Sequence, residues 1–94
     1  MHSLNEVKSG RYLVITASDS RYEIDLDLMT LRRVAAFDMA QDRSLRRDGQ
    51  TEALLRVQDC TVGRNGLLIV DFHLPGTFFT ARATTTVVSI EKQR

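Results

Sequence analysis

An alternation of apolar and charged residues over residues 21–27 limits the fold of this chain more than any other feature. Tyr22, Ile24 and Leu26 occupy one set of alternate positions. Charged side chains occupy the other set: Arg21, Glu23, Asp25 and Asp27. Because successive side chains of a β-strand point to opposite faces, the segment is predicted to be a strand with one buried and one solvated face.

Turn signals on both sides extend this strand into a meander. Residues 11–17 are rich in β-branched and aromatic types, and residues 18–20 supply the turn chemistry that follows them. A hairpin with residues 21–27 is therefore predicted. A second turn over residues 27–30 would complete a three-stranded meander by Val34.

The middle of the chain leaves an alternative open. Residues 35–44 are predicted to be a loop, because they show no period of two and are too short for a stable helix. Asp48 and Gly49 predict a two-residue hairpin turn that joins residues 45–47 to residues 50–57. The Ala, Leu and Glu content of residues 51–57 also suits a short helix, although a strand is our interpretation.

Two further strands are predicted in the last third. Gly63 and the pair at residues 65–66 precede the apolar run of residues 67–70, which is typical of a central strand covered on both faces. A turn at residues 75–76 leads into residues 77–90, whose Thr, Val and Phe content predicts a long, curved strand.

Six or seven short strands without a crossover helix predict an all-β, mainly antiparallel fold. A small barrel and a sandwich both fit this pattern, with room for one short helix. The length of 94 residues allows one domain, covering residues 1–94. Residues 1–10 and 91–94 are polar and unpatterned, so we expect flexible ends.

Cysteine content and hydropathy define the expected compartment. Cys60 is the only cysteine, which excludes an internal disulfide. The longest apolar runs have the length of residues 67–70, too short for a membrane span, and residues 1–10 lack the apolar core of a secretory signal. We therefore expect a cytoplasmic protein that does not associate with membranes.

Candidate catalytic groups do not form a convincing constellation. Asp71 and His73 share a strand face and could serve Cys60 as a thiol-based triad, but a small buried hydrophobe is the better interpretation of this cysteine. Asp25 and Asp27 also share a face, and the alternation around them favours solvated carboxylates over an acid–base pair.

Metal and phosphate motifs are also absent from the sequence. One cysteine and two distant histidines, His2 and His73, do not give the ligand spacing of a zinc site. Residues 63–66 are shorter than a phosphate-binding glycine loop and are interpreted as a turn. We expect no cofactor and no enzymatic activity.

Charge is segregated along the chain although its formal net value is only +1. Residues 31–47 hold five arginines against two aspartates, a local charge of +3, and residues 19–27 hold one arginine against four acids, a local charge of −3. Such patches can orient a protein assembly. The residues predicted to contact a partner are Arg32, Arg33, Arg46, Arg47, Asp25 and Asp27.

Three segments resemble a group of small β-rich proteins of actinobacteria and their phages whose function is unknown. They are residues 22–27 with Thr30 and Arg32, residues 45–49, and residues 84–90. The bias of eleven arginines against two lysines fits the GC-rich genomes of those organisms. The resemblance implies a β fold and assigns no site residue.

Together these observations predict a non-enzymatic protein-interaction module that self-associates, as in a homodimer, or binds a protein partner. It would present a β surface or a strand edge together with the Arg and Asp patches. The alternative is a small nucleic-acid-binding β-barrel, in which arginines contact phosphates and Tyr12, Tyr22, Phe37, Phe78 and Phe79 supply stacking surfaces.

Charge reversal distinguishes these functions. In a homodimer held by the two patches, Arg32→Glu with Arg33→Glu should weaken association, and adding Asp25→Lys with Asp27→Lys should partly restore it. Sedimentation across a range of protein concentrations measures both effects, with circular dichroism confirming the fold of each variant. A parent protein that stays monomeric at high concentration would contradict the homodimer.

Overall fold

The computed structural model describes residues 1–34, 51–72, 75–76 and 78–93. Within them lie six strands: β1 (Arg11–Thr16), β2 (Arg21–Asp25), β3 (Thr30–Val34), β4 (Thr51–Asp59), β5 (Asn65–Asp71) and β6 (Thr80–Gln93). Each strand pairs antiparallel with its neighbour in sequence, and β6 also pairs with β1, which closes a barrel. The predicted all-β antiparallel fold is confirmed, and the described residues contain no helix.

The β1–β2–β3 meander follows the sequence pattern. Tyr22 and Ile24 are buried while Glu23 between them is exposed, so the predicted alternation is confirmed. In register, Val14 lies opposite Tyr22 and Ile24 lies opposite Leu31. The apolar face of the meander therefore becomes one wall of the barrel interior.

Residues 51–57 form part of β4, and the alternative of a short helix is wrong. β4 pairs with β3 over Thr51–Arg32 to Ala53–Thr30 and with β5 along the other side. Long-range pairing on both sides outweighs the local helix preference of Ala, Leu and Glu. The predicted loop at residues 35–44 and the turn at residues 48–49 lie outside the described residues.

β5 is not covered on both faces, although its apolar run predicted a strand covered on both. Leu68 and Val70 are buried, whereas Leu67 and Ile69 are half-buried. A closed barrel has one interior, so a strand in it is covered completely on one face only. Each of the six described strands has two neighbours, so none of them is more central in the sheet than the others.

β6 confirms the long last strand and extends it to Gln93. Its first half pairs with β5 and its second half with β1, with register shifts near residues 65–67 and 15–16. Such bulges insert residues into one strand and increase its bend. β6 can therefore bend far enough to pair with both β5 and β1 and so close the sheet.

The N-terminal segment, residues 1–9, packs against one end of the barrel. Leu4 is only 1% exposed and its N–H donates to the Cys60 carbonyl at 2.9 Å, beside a bridge between Ser3 and Thr61. At the other end of the chain, residues 91–93 pair with residues 11–13 of β1. These contacts hold both ends that the sequence marked as flexible, and their mobility in solution stays a prediction.

Leu4→Ala should lower the free energy of unfolding by about 2–5 kcal/mol, because it removes a fully buried side chain from the core. Glu6→Ala is the matched control, since Glu6 is exposed in the same segment. Urea denaturation of the two variants and the parent measures the change. Equal midpoints for Leu4→Ala and the parent would show that the segment does not contribute to the core.

Candidate binding groove

The arginines predicted to contact a partner lie on different faces of β3. Arg32 donates from Nε and Nη2 to Glu23 Oε1 at 2.9 and 2.6 Å, across the outer face of the sheet. Arg33 is half-buried, and its Nη2 donates to Ser20 Oγ at 3.2 Å. Neighbouring strand residues point to opposite faces, so the structure does not bring these two arginines together. Arg46 and Arg47 lie outside the described residues.

The two aspartates stabilise a turn. Asp25 Oδ1 accepts the backbone N–H groups of Asp27 and Leu28, each at 2.9 Å. Asp27 Oδ1 accepts the Gly10 N–H at 3.1 Å. Aspartate side chains commonly cap turn backbone in this way. Asp25 and Asp27 thus fix the β2–β3 turn, and their contact with a partner stays a prediction.

The tip of this turn carries two exposed apolar side chains. Leu28 is 75% exposed and Met29 is 38% exposed. Met29 has a φ of 53°, in the left-handed region that costs a residue with a Cβ about 1–2 kcal/mol. Its carbonyl accepts the Leu54 N–H at 2.9 Å, which holds the turn against β4.

A groove of about 300 Å³ opens between this turn, the N-terminal segment and β4. β3 begins at Thr30, where it pairs with Ala53, whereas β4 continues to Asp59, so the part of β4 beyond Leu54 extends past the start of β3. The N-terminal segment occupies part of the space beside this extension. The groove is lined by Leu4, Asn5, Val7, Lys8, Leu26, Met29, Leu55, Arg56 and Val57.

A bulge in β4 places Leu55 on the wall of this groove. Leu54 pairs with Val70 and Arg56 pairs with Ile69, so Leu55 is the extra residue on its strand. Alternation after the buried Leu54 already places Leu55 on the outer face, and the bulge interrupts that alternation so that Arg56 is exposed as well. Leu55 is 48% exposed. With Met29 it forms what we call the apolar rim of the groove, and the exposed Leu28 is the neighbour of Met29 in the β2–β3 turn.

The charges that line the groove are all positive among the described residues: they are Lys8 and Arg56. Neither residue forms an ion pair within the described part of the chain. Other arginines are paired, as Arg32 is with Glu23 and Arg64 is with Asp59. The groove therefore combines an apolar floor with cations that have no carboxylate partner here.

A polar network holds the N-terminal wall in place. Asn5 Nδ2 donates to Asp59 Oδ1 at 3.1 Å, and Asn5 Oδ1 accepts the Cys60 N–H at 2.7 Å. Thr61 Oγ1 also donates to Asp59 Oδ1, at 2.9 Å. The hydrogen bonds from Asn5 and Thr61, with the charge of Arg64, lower the pKa of Asp59. The carboxylate form of Asp59 is thus the one that fixes this wall.

Cys60 is confirmed as a buried hydrophobe. Its side chain is 1% exposed, and burial, with the nearby charge of Asp59, raises the pKa of the thiol to about 11. The thiol is therefore protonated at neutral pH and is a poor nucleophile. His73, which was considered with Cys60 and Asp71 as a catalytic triad, lies outside the described residues.

A second recess, of about 210 Å³, is lined by Arg11, Glu23, Asp25 and Arg32 among others, so the structure brings two of the predicted partner-contact residues together there. Tyr12 and Tyr22 are buried and cannot stack on bases, whereas Phe78 and Phe79 are 89% and 59% exposed. Phe37 lies outside the described residues. In the part of the chain that the structure describes, three or more metal-ligating side chains do not cluster. No helix among the described residues is long and apolar enough to cross a membrane.

The sequence analysis missed the groove because it concentrated on charge. One usable signal was the pair Leu28 and Met29 at a predicted turn, where polar residues or glycine are usual. Another was Leu54 followed by Leu55, which breaks strict alternation. Neither signal indicates that the two segments lie side by side, since that depends on the pairing of β3 with β4.

In comparisons with protein-family models, with curated proteins and with solved structures, no match to this chain is found.

Acidification should loosen the N-terminal wall of the groove. Because the folded-state pKa of Asp59 is lowered from its ordinary value of 3.8, its contribution to stability is complete above that value and is lost as pH falls through the folded-state pKa. Amide exchange followed by NMR from about pH 6 downward should show that the protection of the Leu4 and Cys60 amides falls more at the acid end than the protection of amides in β2.

Asp59→Asn is the matched variant for this measurement. It should show faster exchange at Leu4 already at neutral pH and a smaller response to acid. If acid reduces amide protection in Asp59→Asn as much as in the parent, another group causes the loss.

Proposed function

We propose that this chain is a small protein-interaction module that binds a protein partner in the groove, with the apolar rim as the main contact. The observation that carries the proposal is that the exposed Met29 and Leu55 line one recess together with the core residues Leu4 and Leu26. Apolar anchors in a recess supply most of the binding energy in protein interfaces.

The conformation of the β2–β3 turn supports this proposal. Glycine or asparagine at position 29 would adopt the left-handed conformation at lower cost than Met29 does. The Leu28 side chain contributes little burial energy in the isolated chain, since it is 75% exposed. A turn that is unfavourable in the isolated chain is consistent with a contact made elsewhere, because strained and exposed apolar positions concentrate at binding sites.

The closed barrel favours binding in the groove over binding at a strand edge. Among the described strands each has two neighbours, so the barrel does not present a complete edge to a partner strand. Shifts in register near residues 54–56 and 57–59 further distort the part of β4 that faces the groove. We therefore propose that the partner binds through side chains rather than by extending the sheet.

The chemistry of the groove supports binding rather than catalysis. Its lining consists of apolar side chains, the amide of Asn5 and two cations, and that amide is already engaged by Asp59 and Cys60. Such a surface can hold and orient a partner. A reaction would need a nucleophile and a base within reach of one another.

A small nucleic-acid-binding barrel remains the second candidate, favoured by the adjacent and exposed Phe78 and Phe79. The burial of Tyr12 and Tyr22 removes two of the stacking surfaces that this function was predicted to use. The net charge of +1 also gives little general attraction to phosphates.

Replacing the rim should abolish partner capture. The tagged protein is used to isolate partners from its native cells with and without nuclease, alongside the double variant Met29→Asn with Leu55→Ser, in which asparagine tolerates the left-handed conformation of residue 29. We expect the double variant to lose at least about tenfold of the captured protein, because two apolar anchors are removed. Val88→Ser is the matched control, since Val88 is 50% exposed on β6 and does not line the groove.

The outcomes separate the candidates. Equal loss in Val88→Ser and in the double variant would contradict a specific role for the rim. Loss of every captured protein on nuclease treatment would favour the nucleic-acid barrel. If the captured partner is a second copy of the chain, sedimentation of the parent should show association that the double variant lacks.

A further inference from the structure

We infer that the segment bound in the groove is an acidic peptide with an apolar anchor, an inference that rests on the proposed function. The anchor would enter the recess beside Met29 and Leu55, and its flanking carboxylates would contact Lys8 and Arg56. This assigns a partner chemistry to the groove and gives Lys8 and Arg56 a role in recognition.

The first observation is the sign of the charges. Lys8 and Arg56 line the groove, and none of its described lining residues is acidic. Both cations are exposed and lack an ion pair within the described residues. An acidic segment would supply the missing carboxylates, and arginine can hold a carboxylate through two parallel hydrogen bonds.

The second observation is that the preference must be local. The chain as a whole has a net charge of only +1, which is too small to attract acidic partners over a distance. Charges at the edge of an apolar recess act at short range and also disfavour a basic partner, because like charges would be brought together without compensation. Lys8 and Arg56 therefore select the partner at the groove itself.

The shape of the groove favours a peptide over a nucleic acid or a membrane surface. A recess of about 300 Å³ accommodates one or two apolar side chains. Its described lining contains no aromatic ring on which a base could stack. A flat lipid surface would not fill a concave recess, whereas a protruding side chain would.

The test uses the purified full chain and a fluorescein-labelled peptide with two leucines flanked by glutamates. One matched peptide replaces each glutamate with lysine, and another replaces each leucine with serine. Fluorescence anisotropy gives the dissociation constants at low and at moderate salt. We expect the parent to bind the leucine–glutamate peptide at least about tenfold more tightly than either matched peptide, and less tightly as salt rises.

Charge reversal in the protein locates the contact. Lys8→Glu with Arg56→Glu should weaken binding of the leucine–glutamate peptide about tenfold and strengthen binding of the leucine–lysine peptide. Arg11→Glu with Lys92→Glu is the matched control. It reverses one arginine and one lysine outside the groove, so the net charge changes equally. Circular dichroism confirms that both variants are folded.

Several results would overturn the inference. Equal weakening in the groove and control variants would assign the effect to overall charge. Equal binding of the glutamate and lysine peptides, or no binding of either, would remove the acidic preference. Displacement of the labelled peptide by a single-stranded oligonucleotide or by vesicles of anionic lipid would favour those ligands instead. The proposed function would then depend on the capture experiment alone, because that experiment tests the apolar rim and not the charges.

Discussion

Closure of the barrel by β6 is the constraint on which the rest of this structure depends. β6 pairs with β5 through its first residues and with β1 through its last ones. This double pairing leaves one interior, which takes Tyr12, Ile24 and Val70 from three different strands. Without it, the sheet would have two free edges and its apolar face would be open to water.

Closure is incomplete at one place, and the groove arises there. β3 begins opposite Ala53, and β4 continues beyond it to Asp59. The N-terminal segment fills the interior of the gap with Leu4 and is fixed by Asn5 to Asp59 and Cys60. The outer part of the gap stays open between Met29 and Leu55. The space that Leu4 leaves unfilled beside the start of β3 thus forms a concave apolar surface.

The charged residues illustrate how far sequence reasoning reached toward the site. Alternation predicted that Glu23 lies on the solvated face of its strand, and the structure confirms it, since alternation determines the face of each side chain. Its partner was not predictable, because Glu23 is opposite Arg32 only in the register that the hairpin adopts. Lys8 and Arg56 are 48 positions apart in sequence, and only the packing of the N-terminal segment against β4 makes them neighbours of one groove.

The sequence by itself determined the strand class, the β1–β3 meander and the presence of a long last strand, because local propensity, alternation and turn chemistry act over a few residues. Only the tertiary structure decided between a barrel and a sandwich, placed Leu4 in the core and opened the groove. Those outcomes depend on strand registers, bulges and contacts between distant segments, such as β6 with β1 and Leu4 with Cys60. Their energies are set by pairing and burial across the whole chain, and a local pattern does not specify them.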